Sequence, residues 1–171
     1  LSTNIGWQDK DSYGNALSSE QRQKMQRLRT WNERFRTESS KERNLKQALG
    51  EIDRMASALG VPDPTRETAS VLYQQALSND LLPGRSIEGI ATASLYAATR
   101  IDAIPRSIDE VASVSRVDDM RFKRAYRYMT RELGLQIPPT NPIEYLGRLA
   151  SDLECTDETE QLARELTELA I

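Results

Sequence analysis

Arg121, Lys123, Arg124, Arg127 and Arg131 recur through a segment whose apolar residues Phe122, Ala125, Tyr126, Met129 and Leu133 fall at helical spacing. The cations lie largely off that stripe, so the helix carries positive charge outward and can meet a phosphate backbone. A shorter helix precedes it. Ser107 stands three residues before Glu110, the spacing of a capping box, and Pro105 blocks any helix upstream. The turn falls near Ser113–Val117, after which Asp118 supplies a new N-cap oxygen. Residues 104–134 therefore read as a helix-turn-helix. They also fit an ordinary all-α core with a solvated basic face, and the motif alone does not choose between the two.

Other chemistry is sparse. The carboxylate pairs Asp109/Glu110 and Asp118/Asp119 sit at helix starts, where capping and the helix dipole already account for them. No GxxxxGK phosphate loop occurs. The chain has no histidine, and Cys155 is its single cysteine, so it can assemble no intrachain disulfide, structural zinc site or histidine-based triad. The expectation is a non-enzyme with no metal and no cofactor.

With 38% hydrophobic and 29% charged residues, the 171-residue chain suits one or two compact domains. No run approaches the roughly 18 apolar residues of a bilayer span. The start, LSTNIGWQDKD, lacks the pattern of a signal peptide, so a cytoplasmic location is expected. The net charge of −3 hides a gradient. Residues 1–43 hold nine Lys/Arg against six Asp/Glu, residues 44–134 twelve against twelve, and residues 135–171 two against eight. Contact with nucleic acid or an acidic partner is expected from the first two blocks.

The elements that must position the basic helix follow from periodicity. Residues 1–17 contain Gly6, Gly14 and Asn15 and show no period, so they read as extended or mobile, with Trp7 and Tyr13 marking either a missing partner or, just as commonly, chance aromatics of a tail. From Ser18, with Gln21 at capping-box spacing, a helix carries Met25, Leu28 and Phe35 on a thin stripe. Arg22, Lys24, Arg27, Arg29, Arg34 and Arg36 surround Trp31, and a helix with so little to bury is expected to be ordered by a partner. TESSKER at 37–43 reads as a polar joint. Leu45, Leu49, Ile52, Ala56 and Leu59 then stripe a helix that stops at Gly60 and Pro62. Asp63 is expected to cap the next, with Pro64 at its first position and Ala69, Leu72, Tyr73, Ala76 and Leu77 inward. Ser86 opens a helix whose broad face, Ile87, Ile90, Ala91, Ser94, Leu95, Ala98 and Ile101, predicts the centre of the domain.

After Gly134, three prolines at 138, 139 and 142 make a linker. Ile143, Leu146, Leu149, Ala150 and Leu153 stripe one further helix, and Asp157 with Glu160 is expected to cap another bearing Leu162, Ala163, Leu166 and Leu169. Two such helices cannot bury both stripes alone. They must pack on the first domain, on a second chain or on residues outside this sequence, and a homodimer through 143–171 is one expectation.

Residues 42–59 and 143–169 share a faint pattern, as if a five-helix unit began again. Together with LLPGRSIEGIATASLYAATR (81–100), IPRSIDEVASVSRV (104–117) and AYRYMTRELGL (125–135), the chain resembles archaeal transcription initiation factor B, of the TFIIB family, over nearly its whole length. The resemblance implies an all-α fold: a reader and linker segment with one basic helix (1–41), a first cyclin-like five-helix repeat (42–134), an inter-repeat linker (135–142) and the start of a second repeat (143–171).

It also implies a role, as an adaptor bridging promoter DNA bound by TATA-binding protein to RNA polymerase and aiding promoter opening. The loop Pro83-Gly84-Arg85-Ser86 would reach the minor groove just downstream of the TATA element, where Gly84 permits close approach and Arg85 meets enhanced negative potential. Arg116, Lys123 and Arg124 would be phosphate contacts. The helix at 20–36, with Arg22, Lys24, Arg27, Arg29 and Trp31, would sit by the polymerase clamp. Departures carry expectations too. The family's zinc ribbon is absent from this sequence, so recruitment through the polymerase dock should be lost. The second repeat stops before its own helix-turn-helix, so sequence-specific binding should be poor, and VDDM at 117–120 is acidic where some relatives are basic. A cyclin-like protein-interaction scaffold that never touches DNA remains the alternative.

Overall fold

A computed structural model describes residues 19–170, with their side chains except those at 19–22, 24, 25, 32 and 34–36. The extended segment 1–17 with Trp7 and Tyr13, the Ser18 cap, and the side chains of Arg22, Lys24, Met25, Arg34, Phe35 and Arg36 lie outside the described residues. Those described form seven α-helices and no strand, the all-α fold expected. Among them, no helix is long and apolar enough to cross a membrane.

The chain divides into two units, residues 1–43 and 44–171. Helix α1 is assigned from Ser19 to Leu59, and its part in the first unit includes 37–43, which is helical rather than a joint. The reason is local. TESSKER is polar but contains neither Gly nor Pro, and its side chains fold back on the preceding turn, Thr37 Oγ1 donating to the Glu33 carbonyl at 2.8 Å and Arg43 Nε to that of Ser39 at 3.3 Å.

In the second unit, α1 buries Ala48, Ile52, Met55 and Ala56, with Leu45 and Leu59 at the edge of the core. The helix stops where Gly60 takes φ +61° and the Val61 N–H bonds the Ala56 carbonyl at 2.8 Å. Helix α2 (Asp63–Ser78) starts one residue earlier than expected: Pro62 occupies the N-cap position, and Asp63 lies in the first turn rather than capping it. Ala69, Leu72, Tyr73 and Ala76 face inward as the spacing predicts.

Helix α3 (Ile87–Ile101) is the hub, for every residue from Gly89 to Thr99 is buried. Ile101, expected on the buried face, is instead exposed, because the helix end emerges from the core there. Helix α4 (Ile108–Val114) carries the predicted capping box, Ser107 N–H donating to Glu110 at 2.7 Å and Glu110 N–H to Ser107 Oγ at 3.1 Å. Helix α5 (Asp119–Glu132) is capped by Asp118, whose Oδ1 accepts from the Arg121 N–H at 2.9 Å, and buries Phe122, Ala125 and Met129. Tyr96 of α3 meets Phe122 and Tyr126 edge-on, with centroids 5.8 and 4.9 Å apart, which locks α5 across the hub.

No helix forms between Gly134 and Pro142. Helices α6 (Ile143–Asp152) and α7 (Asp157–Ala170) pack on each other. Here too the expected cap shifts: Asp157 lies in the first turn of α7, and the Thr156 hydroxyl takes the Thr159 N–H at 3.4 Å. Helix α6 also rests on α4 and the loop before it. Tyr145 Oη donates to the Arg106 carbonyl at 3.2 Å, and Arg148 reaches the Pro105 carbonyl at 3.0 Å and Glu110 at 2.8 Å. Leu149, Leu153, Leu162, Leu166 and Leu169 nevertheless stay exposed, so the stripes of α6 and α7 are only partly covered within this chain.

Candidate nucleic-acid interface

The loop before α3 is a tight turn. The Arg85 N–H bonds the Leu82 carbonyl at 2.9 Å, with Pro83 and Gly84 at the two central positions and Gly84 at φ +75°. Pro first and a positive φ second is the signature of a type II turn, which is why glycine stands at 84. A Cβ on Gly84 would meet nothing within 4 Å, so the demand comes from the backbone and not from crowding.

Directly after the turn, Ser86 caps α3 by accepting the Gly89 N–H at 3.0 Å. A Cβ on Gly89 would come within 2.9 Å of Ser86 Oγ and 3.9 Å of Ala125 Cβ. Small residues at 89 and 125 thus let α5 pass close to the start of α3. The space left between turn and helix is an open cleft of about 330 Å³, lined by Gly84, Arg85, Ser86, Gly89, Arg121, Arg124 and Ala125.

Charge in and around this cleft is unevenly compensated. Arg121 meets the Asp118 carboxylate at 3.0 Å. Lys123, on the same helix, is held by Asp119 at 2.9 Å and lies 3.7 Å from Asp109 of α4. Its hydrogen bond to Asp119, helped by both negative charges, keeps its ammonium above the ordinary lysine range. Arg124 is exposed and forms no ion pair among the described residues. Among the described residues, Arg85 meets no carboxylate either. Its guanidinium carbon lies 3.3 Å from the centroid of the Tyr128 ring, and its Nη1 donates to the Pro83 carbonyl at 3.0 Å.

The structure therefore brings Gly84, Arg85 and Arg124 to one cleft, while Lys123 is turned toward α4. Arg116 stands apart, at the helix-turn-helix turn, 3.6 Å from the buried carboxylate of Glu51. Arg54 also binds Glu51 and donates to the Val114 carbonyl at 2.7 Å, so α1 grips the turn from behind. The bond from Arg54 holds the Glu51 carboxyl below its ordinary range against the opposing effect of burial. In the first unit, Arg27 and Trp31 are exposed and Arg29 is half-buried. Arg121, read from the sequence only as one cation of the basic helix, lines the cleft, while Tyr128, which meets Arg85 beside it, carries no expectation from the sequence although the spacing 121, 124, 128 places all three on one helix face.

Comparison with known proteins agrees with this architecture. The family model described as the transcription factor TFIIB repeat matches residues 41–132. Transcription initiation factor IIB 2 of Halobacterium salinarum is 71% identical over 166 residues, covering 97% of this chain and 51% of that protein. Its counterpart in Haloferax volcanii is 66% identical over the same length, covering 97% of this chain and 50% of that protein. Transcription initiation factor IIB of Methanoculleus marisnigri is 51% identical, covering 97% and 49%. This chain spans about half the length of these relatives. On that family match, which takes in more than half of its residues, the chain belongs to the TFIIB family.

Proposed function

We propose that this chain acts in transcription initiation as an adaptor: its five-helix unit contacts promoter DNA bound by TATA-binding protein, and its basic first helix contacts RNA polymerase and aids promoter opening. No covalent chemistry belongs to this reading, and it calls for no cofactor. The observation that carries it is the cleft in which Arg85, Arg121 and Arg124 converge beside a glycine turn, in a member of the TFIIB family. Arginine suits that role because its planar, permanently charged fork matches phosphate oxygens and is favoured in a narrow minor groove. The exposed Trp31 among cations at 22–36 supports a protein partner for the first helix.

The test is a gel shift with TATA-binding protein and a promoter duplex. Association should weaken steeply between low and moderate salt, and Arg85→Ala should lower it further. Salt-insensitive binding to a protein alone, unaffected by Arg85→Ala, would overturn this reading in favour of a scaffold that leaves DNA untouched.

A further inference from the structure

We infer that Tyr128 is a positioning residue for Arg85, holding its guanidinium at the rim of the cleft without neutralising it; this rests on the reading that Arg85 faces promoter DNA. The cations around the cleft are restrained in two different ways. Arg121, Lys123 and Arg131 are each held by a carboxylate, at 3.0, 2.9 and 2.7 Å respectively, which partly offsets their charge; Arg131 also faces the Tyr128 ring, but at 5.7 Å from its centroid. Arg85 is held by an aromatic face at 3.3 Å.

That difference has a chemical consequence. A guanidinium stacked on a ring keeps its N–H donors around its edge, where they can still meet an acceptor, and its full charge remains available to an anion. A carboxylate would have occupied donors and quenched the field. The ring is also a firm support. Tyr128 is half-buried and packs against the main core, and it sits on the α5 face shared by Arg121 and Arg124. Arg85 itself leaves a turn fixed by Pro83 and by its own N–H bond to Leu82. Backbone and ring together restrict a long, rotamer-rich side chain to one place, which lowers the entropy lost when it engages a ligand.

The test compares four variants of the full 171-residue chain in gel shifts with TATA-binding protein and a promoter duplex at fixed salt. Tyr128→Leu should weaken binding about two- to fivefold, the strength of a cation–π contact at an exposed site. Tyr128→Phe, which keeps the ring, should bind like the parent chain. The double variant Arg85→Ala/Tyr128→Leu should bind no more weakly than Arg85→Ala, since both changes remove one interaction. Thermal unfolding monitors the fold, and Tyr128→Met, which fills similar space without an aromatic face, replaces the leucine variant if that one unfolds. Full affinity of folded Tyr128→Leu beside a weakened Arg85→Ala overturns the proposal, as does an additive loss in the double variant. Parent-like affinity of Arg85→Ala overturns the DNA-facing reading and the proposal with it.

Discussion

Glu110 and Arg148 meet at 2.8 Å between the first turn of α4 and the middle of α6, and the same Glu110 carboxylate closes the capping box of α4. One side chain thus ties the start of α4 to α6. Removing Arg148 takes the cationic partner from Glu110 and one of two donors from the Pro105 carbonyl, which keeps Arg106 Nη1 at 3.2 Å. Arg148→Ala should cost about 1.5–3 kcal/mol, the range for hydrogen bonds with a charged partner. Glu110→Gln should cost less than Glu110→Ala, because glutamine still serves as the third residue of a capping box. Thermal midpoints of the three variants check this order, and an unchanged midpoint for Arg148→Ala contradicts it.

Acid should weaken the fold through Glu51 and Glu110. Burial alone would raise the Glu110 carboxyl, but the bonds from Ser107 and the charge of Arg148 outweigh it and hold the group below its ordinary range. Glu51 is lowered chiefly by its bond from Arg54. A carboxyl depressed in the folded state binds fewer protons there than in the unfolded chain, so its contribution is full above about pH 4–5 and drains away as pH falls toward the folded values. Urea midpoints measured downward from neutral pH should fall through this window. Glu51→Gln should start lower at neutral pH and show a shallower acid loss; an identical slope would refute the assignment.

Gly84 offers a backbone test free of steric confusion. With φ at +75° and open space around its Cα, an added methyl group meets only its own chain. Gly84→Ala should therefore destabilise by about 1–2 kcal/mol, while Gly84→Asn, which tolerates the left-handed region, should cost less. Equal effects of the two in urea unfolding would mean that something other than φ decides.

On DNA, Arg124 and Lys123 should behave differently despite being neighbours. Arg124 lines the cleft with no ion pair among the described residues, whereas Lys123 is shared between Asp119 and Asp109. Arg124→Ala should weaken the complex with TATA-binding protein and promoter, and reduce the slope of log K against log salt by about one. Lys123→Ala should change that slope little. A larger loss for Lys123→Ala would reverse the ranking drawn from the ion pairs.

The features legible in the sequence are those encoded within a few residues. The Ser107–Glu110 box and the Asp118 cap form as their spacing predicts, because donor and acceptor are three positions apart. The hub α3 announces itself through a run of small and apolar residues. Local signals also mislead where a neighbour competes: Pro62 takes the position assigned to Asp63, and Thr156 does so for Asp157. Polarity at 37–43 is no barrier to helix, since the stretch holds neither Gly nor Pro to interrupt the backbone ladder. Glu51, by contrast, looks like one more charged residue until Arg116 arrives from the far side of the fold. The Arg85–Tyr128 stack is similar, for the helix face of Tyr128 is readable but the loop opposite it is not.

Burial of α3 from Gly89 to Thr99 on all sides has a dynamic consequence. Its amides can reach solvent only if the surrounding helices come apart, so deuterium should enter them last, at the rate of global opening. The turn at 82–85, outside that sheltered rod, carries its one backbone bond at the surface, so the Arg85 amide should exchange sooner than those of the central axle.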